Sequence, residues 1–502
     1  MPIRDNRLKY VNTRIWETED SPSFPEQAVG HPDSIGDKAK VGVCFSGGGT
    51  RSATCTHGQL KALNDFGLLD KIGYISCVSG GAWAAIPFTY LSEHWEDSHF
   101  FGTVYEPEKL TLDVLNDVSK RNYLYSVTHA GIVDDIAKHW ARFAGDETFS
   151  RAIGDIFLNR FGLNSREKFF AYTENHVEDI LTRNERMNRD DFYTVRSGRP
   201  FLIATGAFLR FGSKDYLFEM TPWYTGVQEF YKKSLFQKRD IGGGYIESFA
   251  FDSDSPDFID NQTADVRIGN KNHRFTLSDV LGTTGAAPSE VLDNAKLNFI
   301  GFPEFKYWPA KNVGKVKAKE YEIGDGGNIE NLGILPLLKR GVERIIIFVN
   351  TKKPLSLKNK TQINGSIKAL FKQGGVNHVF ESQELKFLQD GLLEKLGAEK
   401  ATTYTGIYTV LANEHHGVVG GNKVKILWVY NHNYVSWEKK LPAEVSKKIG
   451  KGRLSNFPHF ATFGENIPKL INLHAVQANL LSHMSCAVVR DNIDEFLDII
   501  SN

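Results

Sequence analysis

Cysteine is scarce: only four occur in 502 residues. Cys44, Cys55, Cys77 and Cys486 show no paired spacing for zinc, and they fall in predicted strands or helices, as buried thiols do. A reducing compartment is the simple expectation. Charge of one sign is also missing, since Lys plus Arg and Asp plus Glu are both 60. That balance argues against a nucleic-acid partner held by backbone electrostatics, while leaving room for a local basic patch. No apolar run approaches the length of a membrane span. The N-terminal "MPIRDNRLKYVNTRIWETED" has no apolar signal core, so neither secretion nor lipidation is expected. Repeats, low-complexity tracts and long Gly/Ser/Pro linkers are absent too, which favours one large unit over separate domains.

What is present is an α/β rhythm. Apolar residues make up 41%, enough for a real core. Residues 1–38 are polar and read as an extended arm before the first strand. "VGVCF" is then a strand, "TRSATCTHGQLKALNDFG" an amphipathic helix, "IGYISCV" a second strand and "GGAWAAIPFTYLSEHW" a second helix. Two strands one helix apart are the βαβ unit of a parallel sheet. Residues 97–274 are less regular and read as a large insertion. From residue 320 the rhythm resumes with "EYEIGD", "LGILPLLKRG" and "VERIIIFVN", and the chain ends in one helix, "AVQANLLSHMSCAVVRDNIDEFLDII". The expected layout is a single catalytic unit over residues 39–502.

Three short stretches could carry chemistry. In "SCVSGGAW", Ser79 sits at a sharp strand-to-helix turn, as a nucleophile does in the G-x-S-x-G elbow. Gly81 fills the glycine place two residues after it, but Cys77 stands where the earlier glycine is usual. A serine that N-caps the next helix would suit the same residues. About thirty residues upstream, Gly47, Gly48 and Gly49 end the neighbouring strand. Consecutive glycine N–H groups can converge on one anion at a helix start. A nucleotide phosphate fits poorly, because no Gly-Lys-Ser/Thr and no G-x-G-x-x-G follows. Asp325, in "EIGDGGNIENLG", ends a predicted strand and could be a base for Ser79 or merely a turn residue. Among the histidines, His57 reads as a packing residue and His415 and His416 fall in a polar loop. His459 is the best candidate for a triad, yet none lies in a context typical of a catalytic histidine. A Ser/Asp pair without histidine is the favoured arrangement.

Together, "SGGGTRSATCTHGQLKAL", "SCVSGGAW" and "DGGNIENLGILPLLKRGVERIIIF" resemble the cytosolic phospholipase A2 and fungal phospholipase B family, a branch of the patatin-like hydrolases. "YLFEMTPWYTGV", "FATFGEN" and the C-terminal helix add to the likeness. The resemblance implies a patatin-like α/β fold, a three-layer core with a mainly parallel central sheet, and a cap or lid in the insertion between Ser79 and Asp325. It implies Ser79 as nucleophile, Asp325 as base, Gly47, Gly48 and Gly49 as the oxyanion hole, and Arg51 as a substrate phosphate ligand. No metal or other cofactor is expected for this chemistry. The calcium module of the vertebrate members has no counterpart in the roughly forty residues before this core, so calcium-driven recruitment is not expected. The implied substrate is a phospholipid or lysophospholipid, met at a transient membrane surface by a cytoplasmic protein. A transacylase of the same fold and an inactive lipid-binding homologue are the alternatives.

Overall fold

The apolar runs set the sheet. The computed structural model describes residues 10–18, 24–129, 148–209, 215–232, 240–269, 274–286, 303–311, 313–461 and 472–501. The first five strands are β1 (Tyr10–Glu17), β2 (Val41–Phe45), β3 (Tyr74–Val78), β4 (Phe169–Ala171) and β5 (Phe192–Thr194). Next come β6 (Phe201–Phe208), β7 (Tyr216–Met220), β8 (Tyr224–Tyr231), β9 (Ile241–Glu247) and β10 (Thr263–Arg267). The last are β11 (Glu304–Tyr307), β12 (Lys319–Asp325), β13 (Arg344–Val349), β14 (Thr403–Thr409) and β15 (Lys423–Tyr430).

Thirteen of these form one sheet in the order β10-β1-β9-β8-β7-β6-β3-β2-β13-β15-β14, with β12 on β6 and β11 on β12. Its middle, from β6 through β3, β2 and β13 to β15, is parallel. The flanks are antiparallel, so the parallel unit legible in the sequence is the centre of a mixed α/β sheet. Parallel strands need cover on both faces, which is why they read as unbroken apolar runs. Along β13, Ile346 and Phe348 enter one core with Val43 and Leu60, while Ile345 and Ile347 enter a second with Leu335 and Ile367. Helices α1 (Gly49–Asp65) and α2 (Gly80–Thr89) cover the first face with the Ala475–Arg490 helix. The Leu335–Lys339, Gly365–Leu370 and Glu384–Gly397 helices cover the second.

Three sequence expectations change. Tyr10–Glu17, inside the expected arm, is a strand between β9 and β10, with Val11, Thr13 and Ile15 buried on alternate positions. Its polar outward residues mask that period of two. Residues 201–247, within the expected insertion, supply β6 to β9 to the main sheet, so that stretch is core rather than cap. The C-terminal helix is two helices, Ala475–Arg490 and Ile493–Ser501. Asp491 and Asn492 separate them, the Asn492 side-chain amide donating to the Val488 carbonyl at 2.8 Å. All four cysteines are buried and free.

Candidate active site

One strand gathers the candidate residues. β3 runs parallel to β6 and pairs Val78 with Thr205. β12 pairs Asp325 with Gly206 in the antiparallel sense. Because β7 occupies the other edge of β6 over residues 204–208, β3 and β12 must lie on one edge, end to end. Ser79, one residue past β3, and Asp325, the last of β12, therefore meet at that junction.

Ser79 adopts φ 50° and ψ −125° between β3 and α2. A side chain occupies that region at a cost of about 1–3 kcal/mol, as nucleophile elbows do. Its hydroxyl makes no capping bond to α2, which removes the N-cap alternative. The turn is closed by the N–H groups of Ala82 and Trp83, donating to the Ser79 carbonyl at 2.9 and 3.2 Å. Gly80 lies so near the glycine loop that a Cβ there would run into the Gly49 backbone. Cys77, in place of the usual glycine, is buried within β3 with its thiol 3.5 Å from the Ile203 carbonyl oxygen.

Asp325 fills the turn role that its sequence context allows, and its carboxyl is also buried against Ser79. Its carboxylate accepts the Gly327 N–H at 2.7 Å, the turn role. Burial pushes the carboxyl up to about 6, against the downward pull of that bond and of the Ser79 hydroxyl. A carboxyl near 6 is a far better base at neutral pH than an exposed aspartate. Asn331 joins this turn to the glycine loop, since its carbonyl accepts the Gly47 N–H at 2.9 Å.

That bond corrects one expectation: the Gly47 N–H is already committed, so Gly47 is not a free oxyanion donor. Its contribution is space, since a Cβ at Gly47 would sit 3.1 Å from the Ser79 Cβ. Gly48, at φ 147°, turns the chain into α1. The Gly48 and Gly49 N–H groups stand at the start of that helix, where the ladder supplies no acceptor.

Arg51 is buried in the first turn of α1. Its Nε–H donates to the Asn350 carbonyl at 3.0 Å and an Nη1–H to the Phe460 carbonyl at 2.7 Å. No carboxylate among the described residues pairs with it, and burial lowers the guanidinium pKa to about 10. Its remaining terminal nitrogen lies against Gly48. A desolvated guanidinium with no counter-ion among the described residues, beside N–H groups at a helix start, can receive an anion.

The histidines lie elsewhere in bonding terms. His57 Nδ1 pairs with the Ser482 hydroxyl at 2.8 Å, and His459 Nδ1 with the Thr351 carbonyl at 3.3 Å. His415 and His416 pair with the Asp215 carbonyl and the Asn377 side chain. Sequence reasoning missed Asn350, whose side chain also bonds Ser52, Thr56 and Gln59 of α1. A polar residue directly after the apolar run Ile345–Val349 was its only signal. Among the described residues no His, Cys, Asp and Glu group is arranged to hold a metal, and no helix is long and apolar enough to cross a membrane. Residues 462–466, part of "FATFGEN", lie outside the described residues.

The fold and these turns define an α/β protein with a strained serine and a buried aspartate at one point of its sheet. No family model matches the chain. Mouse cytosolic phospholipase A2 zeta is 35% identical over 86 residues, 17% of this chain and 10% of that protein. The putative meiotic phospholipase SPO1 of Saccharomyces cerevisiae is 43% identical over 47 residues, 9% of this chain and 7% of that one. The chain thus spans about a tenth of the length of the curated relatives it matches. The solved human GIVD cytosolic phospholipase A2 shares the fold at a TM-score of 0.52 and 11% identity, covering 95% of this chain and 64% of that one. Over these short stretches the chain is similar to cytosolic phospholipases A2, and it shares the fold of one.

Proposed function

We propose that this protein is a lipid acyl hydrolase, a phospholipase A2/B or lysophospholipase, that cleaves fatty-acyl esters through Ser79 and Asp325. The observation that carries the reading is the strained Ser79 turn facing a carboxyl that burial lifts to about 6. Asp325 takes the Ser79 proton as the hydroxyl oxygen attacks the ester carbonyl. The N–H groups of Gly48 and Gly49 receive the oxyanion, where one donor is worth about 3 kcal/mol of transition-state stabilisation. Collapse expels the lysolipid alcohol, which takes the proton back, and leaves an acyl-Ser79. Water then attacks the acyl carbonyl, its proton passing to Asp325 and on to the departing Ser79 oxygen, and fatty acid leaves. Arg51 holds the substrate phosphate beside the loop, and the helical parts of residues 97–129 and 148–200 serve as the cap over the acyl chain. The reaction takes place on lipid surfaces met from the cytoplasm.

Release of fatty acid from mixed phospholipid and lysophospholipid vesicles tests the reading. Wild type should release it and Ser79→Ala should not. Equal inactivity of both across a broad lipid panel would leave an inactive lipid-binding homologue as the better account.

A further inference from the structure

Both members of the proposed pair hang on the end of one helix, Leu277–Gly285. Thr284, fully buried in its last turn, accepts the Ser79 N–H on its hydroxyl at 3.0 Å. The same hydroxyl donates to the Thr205 carbonyl at 2.7 Å. Two residues on, the Ala286 carbonyl accepts the Asp325 N–H at 2.8 Å. Thr205 and Gly206 are the β6 residues at which β3 and β12 meet.

This is not the usual use of a helical threonine. Such a hydroxyl ordinarily bonds back to a carbonyl one turn earlier in its own helix. That of Thr284 leaves the helix and stands between the strand that precedes the serine and the strand that carries both turns. The Ser79 N–H therefore reaches the Thr205 carbonyl through one hydroxyl, and the position of that hydroxyl sets the pitch of the elbow. A Ser79 amide left without it would be a buried donor with no acceptor, in a backbone conformation that is already strained.

We infer that Thr284 is a positioning residue: with the Ala286 carbonyl, it sets the placement of the Ser79 hydroxyl against the Asp325 carboxylate. The inference rests on the Ser79/Asp325 reading, and Thr284 itself touches no substrate. Displacing a reacting group by about 1 Å costs on the order of 100-fold in rate. Valine keeps the shape of threonine and removes both bonds, while serine keeps both.

The experiment is the rate of covalent labelling of Ser79 by a long-chain fluorophosphonate, with steady-state kcat and KM on phospholipid vesicles. Thr284→Val should slow labelling and lower kcat by at least about tenfold with KM unchanged. Thr284→Ser should restore most of the rate. Thr283→Val, one residue away, removes a buried hydroxyl that has no partner among the described residues and should match wild type. Should Thr284→Val not fold, the smaller Thr284→Ala carries the same expectation. Amide hydrogen exchange supplies a readout apart from chemistry: Ser79 protection should fall in Thr284→Val and persist in Thr284→Ser. Labelling of Thr284→Val or Thr284→Ala at the wild-type rate overturns the inference and leaves the hydrolase reading standing. A wild type that is never labelled at Ser79 overturns both.

Discussion

Arg51 is fastened to Asn350, its Nε–H donating to the Asn350 backbone carbonyl at 3.0 Å just past the end of β13. The bond fixes the plane of a buried guanidinium and leaves one terminal nitrogen over Gly48. Lysine retains charge but cannot bond Asn350 and Phe460 while also facing the loop. Arg51→Lys should lower kcat/KM on phospholipid by about 10- to 100-fold, the worth of one or two charge-assisted bonds. An uncharged carboxylic ester of the same chain length should be spared. Equal losses on both substrates would assign Arg51 to the oxyanion instead of the phosphate.

Activity should follow the ionisation of Asp325. In the proposed mechanism the carboxylate is the base, so kcat/KM should rise with pH through about 6 and level off above it. A pH–rate profile on a neutral ester, whose own ionisation does not intrude, reads this directly. A limb near 4 would mean that the carboxyl is solvated in the free enzyme.

Stability should run the other way. The Asp325 pKa is raised from 3.8 unfolded to about 6 folded, so the folded state holds a proton that the unfolded chain loses between those values. Its contribution is fully present below about 4 and is lost as pH rises through about 6. At pH 8 the buried carboxylate costs about 3 kcal/mol, from a shift of about two units. Asp325→Asn, which still accepts the Gly327 N–H, should abolish turnover yet resist urea better than wild type at pH 8. At pH 4 the two should unfold alike. A variant no more stable at pH 8 would show that the carboxylate is not desolvated.

Ser79 stores strain of its own. Glycine reaches φ 50° and ψ −125° without a Cβ penalty, so Ser79→Gly should stabilise the fold by about 1 kcal/mol relative to Ser79→Ala. Denaturant midpoints of the two inactive variants make the comparison without interference from chemistry. Alanine as stable as glycine would place the strain elsewhere.

Much of this site can be read from local sequence because its chemistry depends on local backbone. A serine between a buried strand and two glycines announces its turn, and "SGGGTR" announces a helix start able to receive an anion. Other parts have no local signature. Asn350 and Thr284 are ordinary polar residues until the chain brings them beside Arg51 and Ser79, respectively, across 299 and 205 positions. Gly47 looked like its neighbours, but the Asn331 carbonyl had already taken its N–H.

The sequence by itself determined the parallel centre of the sheet, the two turns and the residue types within them, since apolar runs and glycine positions are short-range constraints. Only the tertiary structure decided that β3 and β12 end on the same edge of β6, the contact that puts Ser79 against Asp325. Strand order is set by which faces can be buried together, a property of the whole chain. The rise of the Asp325 pKa comes from the same burial, so the site's chemistry was decided by packing.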